Sequence, residues 1–395
     1  MHMPSTGLKM VVLVAVLAVA AGAVVVMADS NESDARGAIG GNLQWEIEGN
    51  TLHIWGTGDM RDYSTGLLPY PWFLDDEYKV IEYIKMDEGI TSITRGCFDF
   101  PNLKGEIVLP KSLKSIGTYV FRDAKITSIV IPEGSQLSSI GMGAFQNCKE
   151  LTGTLNLPKG LTYLGDHAFQ GCEKMNGTLR FSDGLSSIGY YAFQGCSSLT
   201  GELRLPADVV LVGGYAFDGC TGITGNVTVP SLFLGFGTCA FRNCTGITGA
   251  INGSSNPMCI TSMGQSAFEG CTGITSVKLF NGVLQDNAFK GCTGITTVTL
   301  GSKLSTISST AFGDITFYDE DGTVLEVTQD NYGKLKGYVF EGPNGQLTKV
   351  DKTDEDIPDD PGEGGGIDIW MVATPIAFVL GAVLAYFIAR RSTRN

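Results

Sequence analysis

Ten of the 395 residues are cysteines, whose thiols could form disulfides, bind metal or act as nucleophiles. Most recur once per repeat unit, each three residues after a phenylalanine. Equivalent positions on stacked repeats would lie about 4.8 Å apart, but with Cβ atoms pointing the same way, which favours free thiols over disulfides. No Cys-x-x-Cys pair occurs, so zinc is disfavoured. Buried free thiols are predicted at Cys148, Cys172, Cys196, Cys220, Cys244, Cys271 and Cys292.

Other groups capable of catalysis or metal binding are sparse. Of three histidines, His167 shares its repeat position with Tyr191 and Tyr215, which indicates a surface role. The acidic run 319–322 lacks the alternating acids and distal glutamate of a calcium loop, which predicts a turn. Cys97, Cys239 and Cys259 lie off the main cysteine position, and each could pair with another group. We therefore predict no catalytic residues, no metal and no cofactor, and thus not an enzyme.

The cysteines belong to a repeat whose Ala-Phe-x-x-Cys unit returns at spacings of 21–27 residues. In one unit, Leu155 and Leu157 alternate with polar residues, as in a half-buried strand, and Pro158 ends the strand. Such a period predicts a β-rich leucine-rich repeat solenoid of about ten coils, each stacked on the next. Ten phenylalanines should form a buried spine: Phe98, Phe121, Phe145, Phe169, Phe193, Phe217, Phe241, Phe268, Phe289 and Phe312.

The repeat resembles the BspA-like leucine-rich repeat family of surface proteins over roughly residues 39–315. The extra glycine of the 24-residue coils, and Ala124 in place of a cysteine, depart from the family pattern. The resemblance implies a right-handed superhelix, a role in adhesion or ligand binding, and no catalytic residues. The matching residues are Ile126, Ile129, Ile131, Pro132, Leu137, Ile140, Ala144, Phe145 and Cys148.

The ends of the chain predict export and anchoring. Residues 1–28 have a basic flank, an apolar run and small residues at the cleavage position, as in a secretory signal; an uncleaved anchor is the alternative. Residues 367–389 are long and apolar enough for a transmembrane helix. The arginine-rich tail, residues 390–395, should stay cytoplasmic, which places the solenoid outside the cell.

Between the two ends, composition predicts four segments. Residues 39–79 carry hairpin signals around Gly49 and three tryptophans, and should form an N-terminal β cap whose core the tryptophans fill. The solenoid follows over 80–315. Turn signals in 316–350 predict a C-terminal β cap of two hairpins, and the acidic, Pro- and Gly-rich segment 351–366 predicts a disordered linker. With a formal charge of −14 and no large basic stretch, the chain should not bind nucleic acid.

Outward strand positions are predicted to form columns of side chains on one face of the solenoid. Arg180 and Arg204, one coil apart and near Glu202, form the best candidate anchor for an acidic partner, with Asn156 and Thr228 beside them. A plain solvated face is the alternative. Glycans on the face would block part of it, and Asn-x-Ser/Thr sites begin at Asn31, Asn176, Asn226, Asn243 and Asn252.

Two classes of function fit these features. The first is a membrane-anchored extracellular protein that mediates adhesion or binds an extracellular protein or glycan at the cell surface. The second is a structural envelope protein whose repeats act as a spacer or self-associate without a specific ligand.

The end segments give a testable topology. Protease added to intact cells should remove the solenoid and leave a membrane fragment near residues 367–395, because the terminal arginines hold the C-terminus inside. Immunoblotting with a C-terminal tag would detect that fragment. A solenoid that is digested only after the cells are lysed would contradict the predicted orientation.

Overall fold

The computed structural model describes residues 37–63, 69–74, 76–181, 183–253, 262–328 and 332–350. The predicted signal, linker, membrane and tail segments, together with Asn31 and Cys259, lie outside these residues. No helix in the described part of the chain is long and apolar enough to cross a membrane. The described helical residues form short 3-10 turns at Pro71–Phe73, Asp76–Val80 and Tyr332–Leu335.

A four-stranded sheet in the order β1-β2-β3-β5 begins the described chain. Strands β2 and β3 form the antiparallel hairpin predicted around Gly49, whose φ of 62° is the left-handed conformation that the turn requires. Strand β5 then pairs in parallel with β3 and starts the stacking of coils. The bounds are β1 (Gly37–Ala38), β2 (Gln44–Glu48), β3 (Thr51–Trp55) and β5 (Tyr83–Met86).

An aromatic cluster joins this sheet to the repeats. Trp45 and Trp72 are buried with ring centroids 5.6 Å apart, and the Trp72 ring lies 6.1 Å from that of Phe98. The Trp72 Nε1–H also donates to the Cys97 carbonyl at 2.8 Å. The prediction that tryptophans fill the cap core is confirmed for these two, whereas Trp55 is only half-buried and packs on His53.

One column of parallel strands runs without interruption along the solenoid, and we call it the continuous column. Each strand pairs with the strand of the next coil, as Ser139 does with Tyr163 and Ser187 with Leu211. The column contains β4 (Gly58–Asp59), β6 (Ile90–Ile93), β8 (Ser115–Ile116), β10 (Ser139–Ile140), β12 (Tyr163–Leu164), β14 (Ser187–Ile188), β16 (Leu211–Val212), β19 (Gly235–Phe236), β21 (Ser262–Met263), β22 (Ser276–Leu284) and β23 (Thr297–Ile307).

A second column carries the leucine-rich strands, and we call its outward surface the strand face. Its ladder is divided into four groups, so neighbouring coils are not hydrogen-bonded at every step. The groups are β7 (Lys104–Val108) with β9 (Lys125–Val130); β11 (Leu155–Asn156) with β13 (Leu179–Arg180); β15 (Gly201–Glu202) with β17 (Ile223–Thr224); and β18 (Val227–Thr228) with β20 (Ala250–Asn252), β22 and β23.

The phenylalanine spine lies between the two columns. All ten rings are almost completely buried, and successive ring centroids are 4.9–5.5 Å apart, close to the spacing of adjacent strands. From Phe121 onward the successive rings are nearly parallel, as between Phe169 and Phe193 at 1°. The ten phenylalanines enclose nine intervals, so the solenoid has about nine turns rather than the ten predicted.

At nine of the ten spine phenylalanines, the residue two positions earlier adopts a left-handed conformation; Thr310, before Phe312, is the exception. His167, Tyr191 and Tyr215 all have φ of 59°, and Gly143 has the same value. The turn lets the phenylalanine N–H reach the next coil, as when Phe145 donates to the Ala168 carbonyl at 2.8 Å. The spine is therefore fixed by backbone hydrogen bonds as well as by ring stacking.

Two hairpins follow the last coil. The first, β24 with β25, closes through a turn in which the Gly322 N–H donates to the Asp319 carbonyl at 3.0 Å, which confirms the predicted turn. Strand β26 of the second pairs antiparallel with β23, which covers the edge of the final parallel strand. The bounds are β24 (Thr316–Tyr318), β25 (Val324–Leu325), β26 (Tyr338–Glu341) and β27 (Gln346–Val350).

Truncation in the middle of the spine should be costly. Phe193 is fully buried, with the rings of Phe169 and Phe217 at 5.5 and 5.4 Å, so Phe193→Ala should lower the free energy of unfolding by about 3–5 kcal/mol. Because coils contact only their neighbours, denaturation should also change from one transition to two. Tyr163→Ala, at a side chain 51% exposed, is the control and should change stability by less than about 0.5 kcal/mol. Equal melting curves for the two variants would contradict the proposed spine.

Candidate binding face

All five predicted contact residues project from the strand face and are exposed. Within each strand, exposed residues alternate with buried ones, so Asn156 follows buried Leu155 and Arg180 follows buried Leu179. Strands β11 and β13 are in register and set Asn156 beside Arg180. The remaining three residues are Glu202, Arg204 and Thr228.

Arg204 is held by an ion pair within its own coil. Its Nε and Nη2 atoms both donate to Oε2 of Glu202, at 3.1 and 2.9 Å. The Arg204 side chain is 84% exposed, so solvent screens the pair and it adds little to stability. The pair fixes the direction of a cation that a partner can still reach.

The backbone around Arg180 is not paired with the backbone around Arg204, and the predicted side-by-side placement of their side chains stays a prediction. Strand β13 pairs with β11 only, and Arg204 lies outside every strand. Glu202 pairs with Thr224, two residues earlier than its repeat equivalent Asn226. The shift falls at the glycine corner of this coil, where Gly201 has φ of 83°.

A cleft of about 450 Å³ opens on the strand face at one of these interruptions. One wall is formed by residues 202–205 and the other by residues 226–230, with Asp183 and Ala207 at the rim. It therefore brings together Glu202, Arg204 and Thr228 of the predicted set, and leaves out Asn156 and Arg180.

The described sequon asparagines differ in their surroundings. Asn176 and Asn226 are exposed, and their Oδ1 atoms accept hydrogen bonds from the backbone N–H groups of Gly153 and Ala250 on adjacent coils. Asn243 is exposed and Asn252 is half-buried. Since Asn226 lines the cleft, a glycan on it would block the cleft; glycosylation at these positions stays a prediction.

The seven repeat cysteines form a buried column of free thiols, as predicted. Each Sγ–H donates to the carbonyl of a spine phenylalanine on the preceding coil, as from Cys196 to Phe169 at 3.1 Å. Burial raises the pKa of the Cys196 thiol well above its ordinary 9.0, and that of Cys292 to about 12. The thiols of Cys196 and Cys292 therefore remain protonated and unreactive while the solenoid is folded.

Two cysteines outside the column, Cys97 and Cys239, are also free and buried. Cys239 occupies the left-handed position of its coil, the same as Tyr215 in the coil before. Within the described part of the chain, no group of three or more His, Cys, Asp or Glu residues could hold a metal ion.

The left-handed positions carry a surface stack that sequence analysis only partly anticipated. The rings of His167, Tyr191 and Tyr215 lie 4.7 and 4.8 Å apart and nearly parallel, which confirms that they share one surface row. Because each ring covers the face of its neighbour, the stack offers ring edges rather than open faces to solvent.

An amide ladder beside this stack was missed. Gln146 donates to Gln170, Gln170 donates to Gln194 at 2.6 Å, and Gln194 donates to Asp218 at 3.0 Å. Arg242 ends the row with Nε and Nη2 donating to the two Asp218 carboxylate oxygens at 2.9 and 2.8 Å. The signal was present in the sequence, because the residues after the five spine phenylalanines from Phe145 to Phe241 are Gln, Gln, Gln, Asp and then Arg.

Comparison with protein families identifies the repeats. The BspA type leucine rich repeat region matches residues 77–200 and 200–318, in six copies. The match covers more than half of the chain, and the chain belongs to this family. No curated protein matches the chain. A leucine-rich repeat solenoid is a scaffold that usually binds partners rather than catalyses reactions.

Several solved structures are similar to this chain at low identity. A leucine-rich repeat protein from Eubacterium ventriosum is 18% identical, covers 71% of this chain and 95% of its own, and has a TM-score of 0.38. A leucine rich cell surface protein from Faecalibacterium prausnitzii is 16% identical, with coverage of 72% and 93% and a TM-score of 0.31. The pneumococcal vaccine antigen PcpA is 16% identical, with coverage of 81% and 99% and a TM-score of 0.37. These values are too low to transfer a function.

The buried thiols should make the fold sensitive to alkali. Below pH 9 the Cys196 thiol is protonated in both the folded and the unfolded chain. Above pH 9 the unfolded chain loses this proton, whereas the folded chain keeps it. Each such thiol then lowers the free energy of unfolding by about 1.4 kcal/mol per pH unit. Cys196→Ala should reduce that slope by the same amount in denaturant titrations from about pH 8 to about pH 10.5. Ser197→Ala, at an exposed neighbour, should leave it unchanged. Equal slopes for Cys196→Ala and wild type would contradict burial of this thiol.

Proposed function

We propose that the protein is a membrane-anchored extracellular leucine-rich repeat protein that binds an extracellular protein or glycan at the cell surface, as in adhesion. The observation that carries the proposal is the strand face, where Arg180, Glu202 and Arg204 are exposed on a body stiffened by the buried spine. A rigid surface keeps its side chains in place before a partner arrives, which reduces the entropy lost on binding.

Charge favours an acidic partner. The chain has a formal charge of −14, so two exposed arginines on one face stand out against an acidic background. Arg180 has no ion pair with any described residue, and Arg204 is mostly exposed despite its bond to Glu202. Carboxylate or sulfate groups on a partner match guanidinium groups in charge and geometry.

Membrane anchoring remains an expectation from the sequence of residues 367–389 and the signal-like residues 1–28. Family membership supports a surface location, because the repeat family resembled here consists of surface proteins. An anchored solenoid would present its whole strand face to the medium.

A binding experiment separates this function from a structural one. Purified full-length protein would be applied to an array of acidic glycans, neutral glycans and extracellular proteins, while light scattering follows self-association without ligand. Capture of an acidic species supports the binding function. Ordered self-assembly with no capture supports a spacer instead.

The arginines should control attachment to an acidic partner. The double variant Arg180→Ser with Arg204→Ser should fold normally, because both side chains are exposed, but bind more weakly and with a flatter dependence on salt. Lys149→Ser with Lys174→Ser removes the same charge from exposed cations outside the strand face and should retain the wild-type salt dependence. Surface plasmon resonance across a salt series measures both. Equal losses in the two double variants would show that net charge, not the strand face, directs binding.

A further inference from the structure

The cleft lies where a hydrogen bond of the repeat is missing. At two equivalent positions, the Leu157 N–H donates to the Arg180 carbonyl at 3.0 Å, and the Gly253 N–H donates to the Lys278 carbonyl at 2.7 Å. The corresponding bond from Leu205 to Thr228 is absent, and residues 203–205, which lie outside the strands, make no backbone hydrogen bond to any described residue. Their backbone N–H and C=O groups are therefore left available along the cleft.

The separation of the two coils is local. On the opposite side, β16 and β19 pair in register, and between the columns the rings of Phe217 and Phe241 stack at 4.9 Å. The same coils are thus close-packed at the spine and still paired at Glu202 and Thr224. Beyond that pair no strand joins residues 203–205 to the next coil, and the cleft opens there as a wedge. Leu203 and Val229 are buried among the residues that line it, and Arg204 and Thr228 are exposed there.

We propose that this wedge binds an extended polypeptide segment of a partner protein by strand addition. The inference rests on the proposed binding function and specifies the class of partner. An extended peptide presents N–H and C=O groups at the strand repeat, which is the pattern left unpaired along residues 203–205. Alternate side chains of the peptide would pack against Leu203 and Val229, while the others face solvent beside Arg204.

The form of the cleft favours a peptide over a glycan. Open aromatic faces are not available on its walls, since the lining residues are aliphatic, small, polar or charged. What the cleft offers instead is unpaired backbone N–H and C=O groups, and hydrogen bonds between main chains supply the affinity in strand addition. The volume of about 450 Å³ suits a short segment rather than a folded domain.

The test begins by panning a library of linear peptides on the purified full-length protein. A selected peptide would then be N-methylated at one backbone amide at a time. Methylation at alternate positions should weaken binding about tenfold, because it removes a donor directed at the wall, and methylation between them should have little effect. Sensitivity without a period of two would overturn strand addition.

Variants of the cleft supply the matched comparison. Leu205→Pro removes a backbone N–H of the cleft wall, whereas Leu205→Ala removes the same side chain and keeps that N–H, so the proline variant should bind about fivefold more weakly. Ala207→Trp should obstruct the cleft and weaken binding at least about tenfold. Its control, Lys159→Trp, places the ring at the equivalent exposed position two coils earlier and should bind normally.

The possible outcomes separate the two proposals. Peptide binding that is lost in Ala207→Trp and retained in Lys159→Trp supports the inference. A partner captured equally by both variants overturns the cleft assignment and leaves the surface-binding function standing. Capture of glycans alone, or no peptide selected by a protein that still binds a partner on the array, also overturns the assignment. Failure to bind any partner contradicts both proposals.

Discussion

The close stacking of phenylalanine rings is the interaction on which the remaining structure depends. Successive rings lie 4.9–5.5 Å apart, and this distance matches the separation of hydrogen-bonded strands. Ring packing and backbone pairing therefore favour the same rise per coil. Residues that recur at one repeat position next to the spine are consequently placed about 5 Å from their counterparts on the next coil.

This spacing determines which types of side chain can recur at one repeat position, on the surface and in the interior. Like charges in a row would repel at such distances, and the structure instead carries an amide row that ends in the Asp218–Arg242 pair. Opposite charges also bridge coils at Lys149–Glu173 and Lys174–Glu150. Inside, the thiols can recur because they are neutral and small, and each has a carbonyl on the preceding coil as its acceptor.

Sequence reasoning succeeded where a residue's environment follows from its place in the repeat. The period of the phenylalanines was enough to predict the burial of the spine and of the cysteine column, and the resemblance of the repeat predicted the family. It did not reveal the hydrogen-bond register around Arg204, because equal spacing in sequence does not fix that register. Gly201 and Gly225 share left-handed φ values of 83° and 84°, yet the strands beside them pair two residues out of the repeat register.

The cleft could not be predicted for a related reason. It results from a difference between two sides of the same coils. The spine rings stay stacked and the continuous column stays paired, whereas the ladder of the strand face is interrupted. A one-dimensional stack offers rows of side chains, and a row alone seldom surrounds a ligand. The break in the ladder supplies depth that a regular strand face lacks. An interruption in the strand pairing between coils of equal length is thus the feature that gives this repeat protein a concave site.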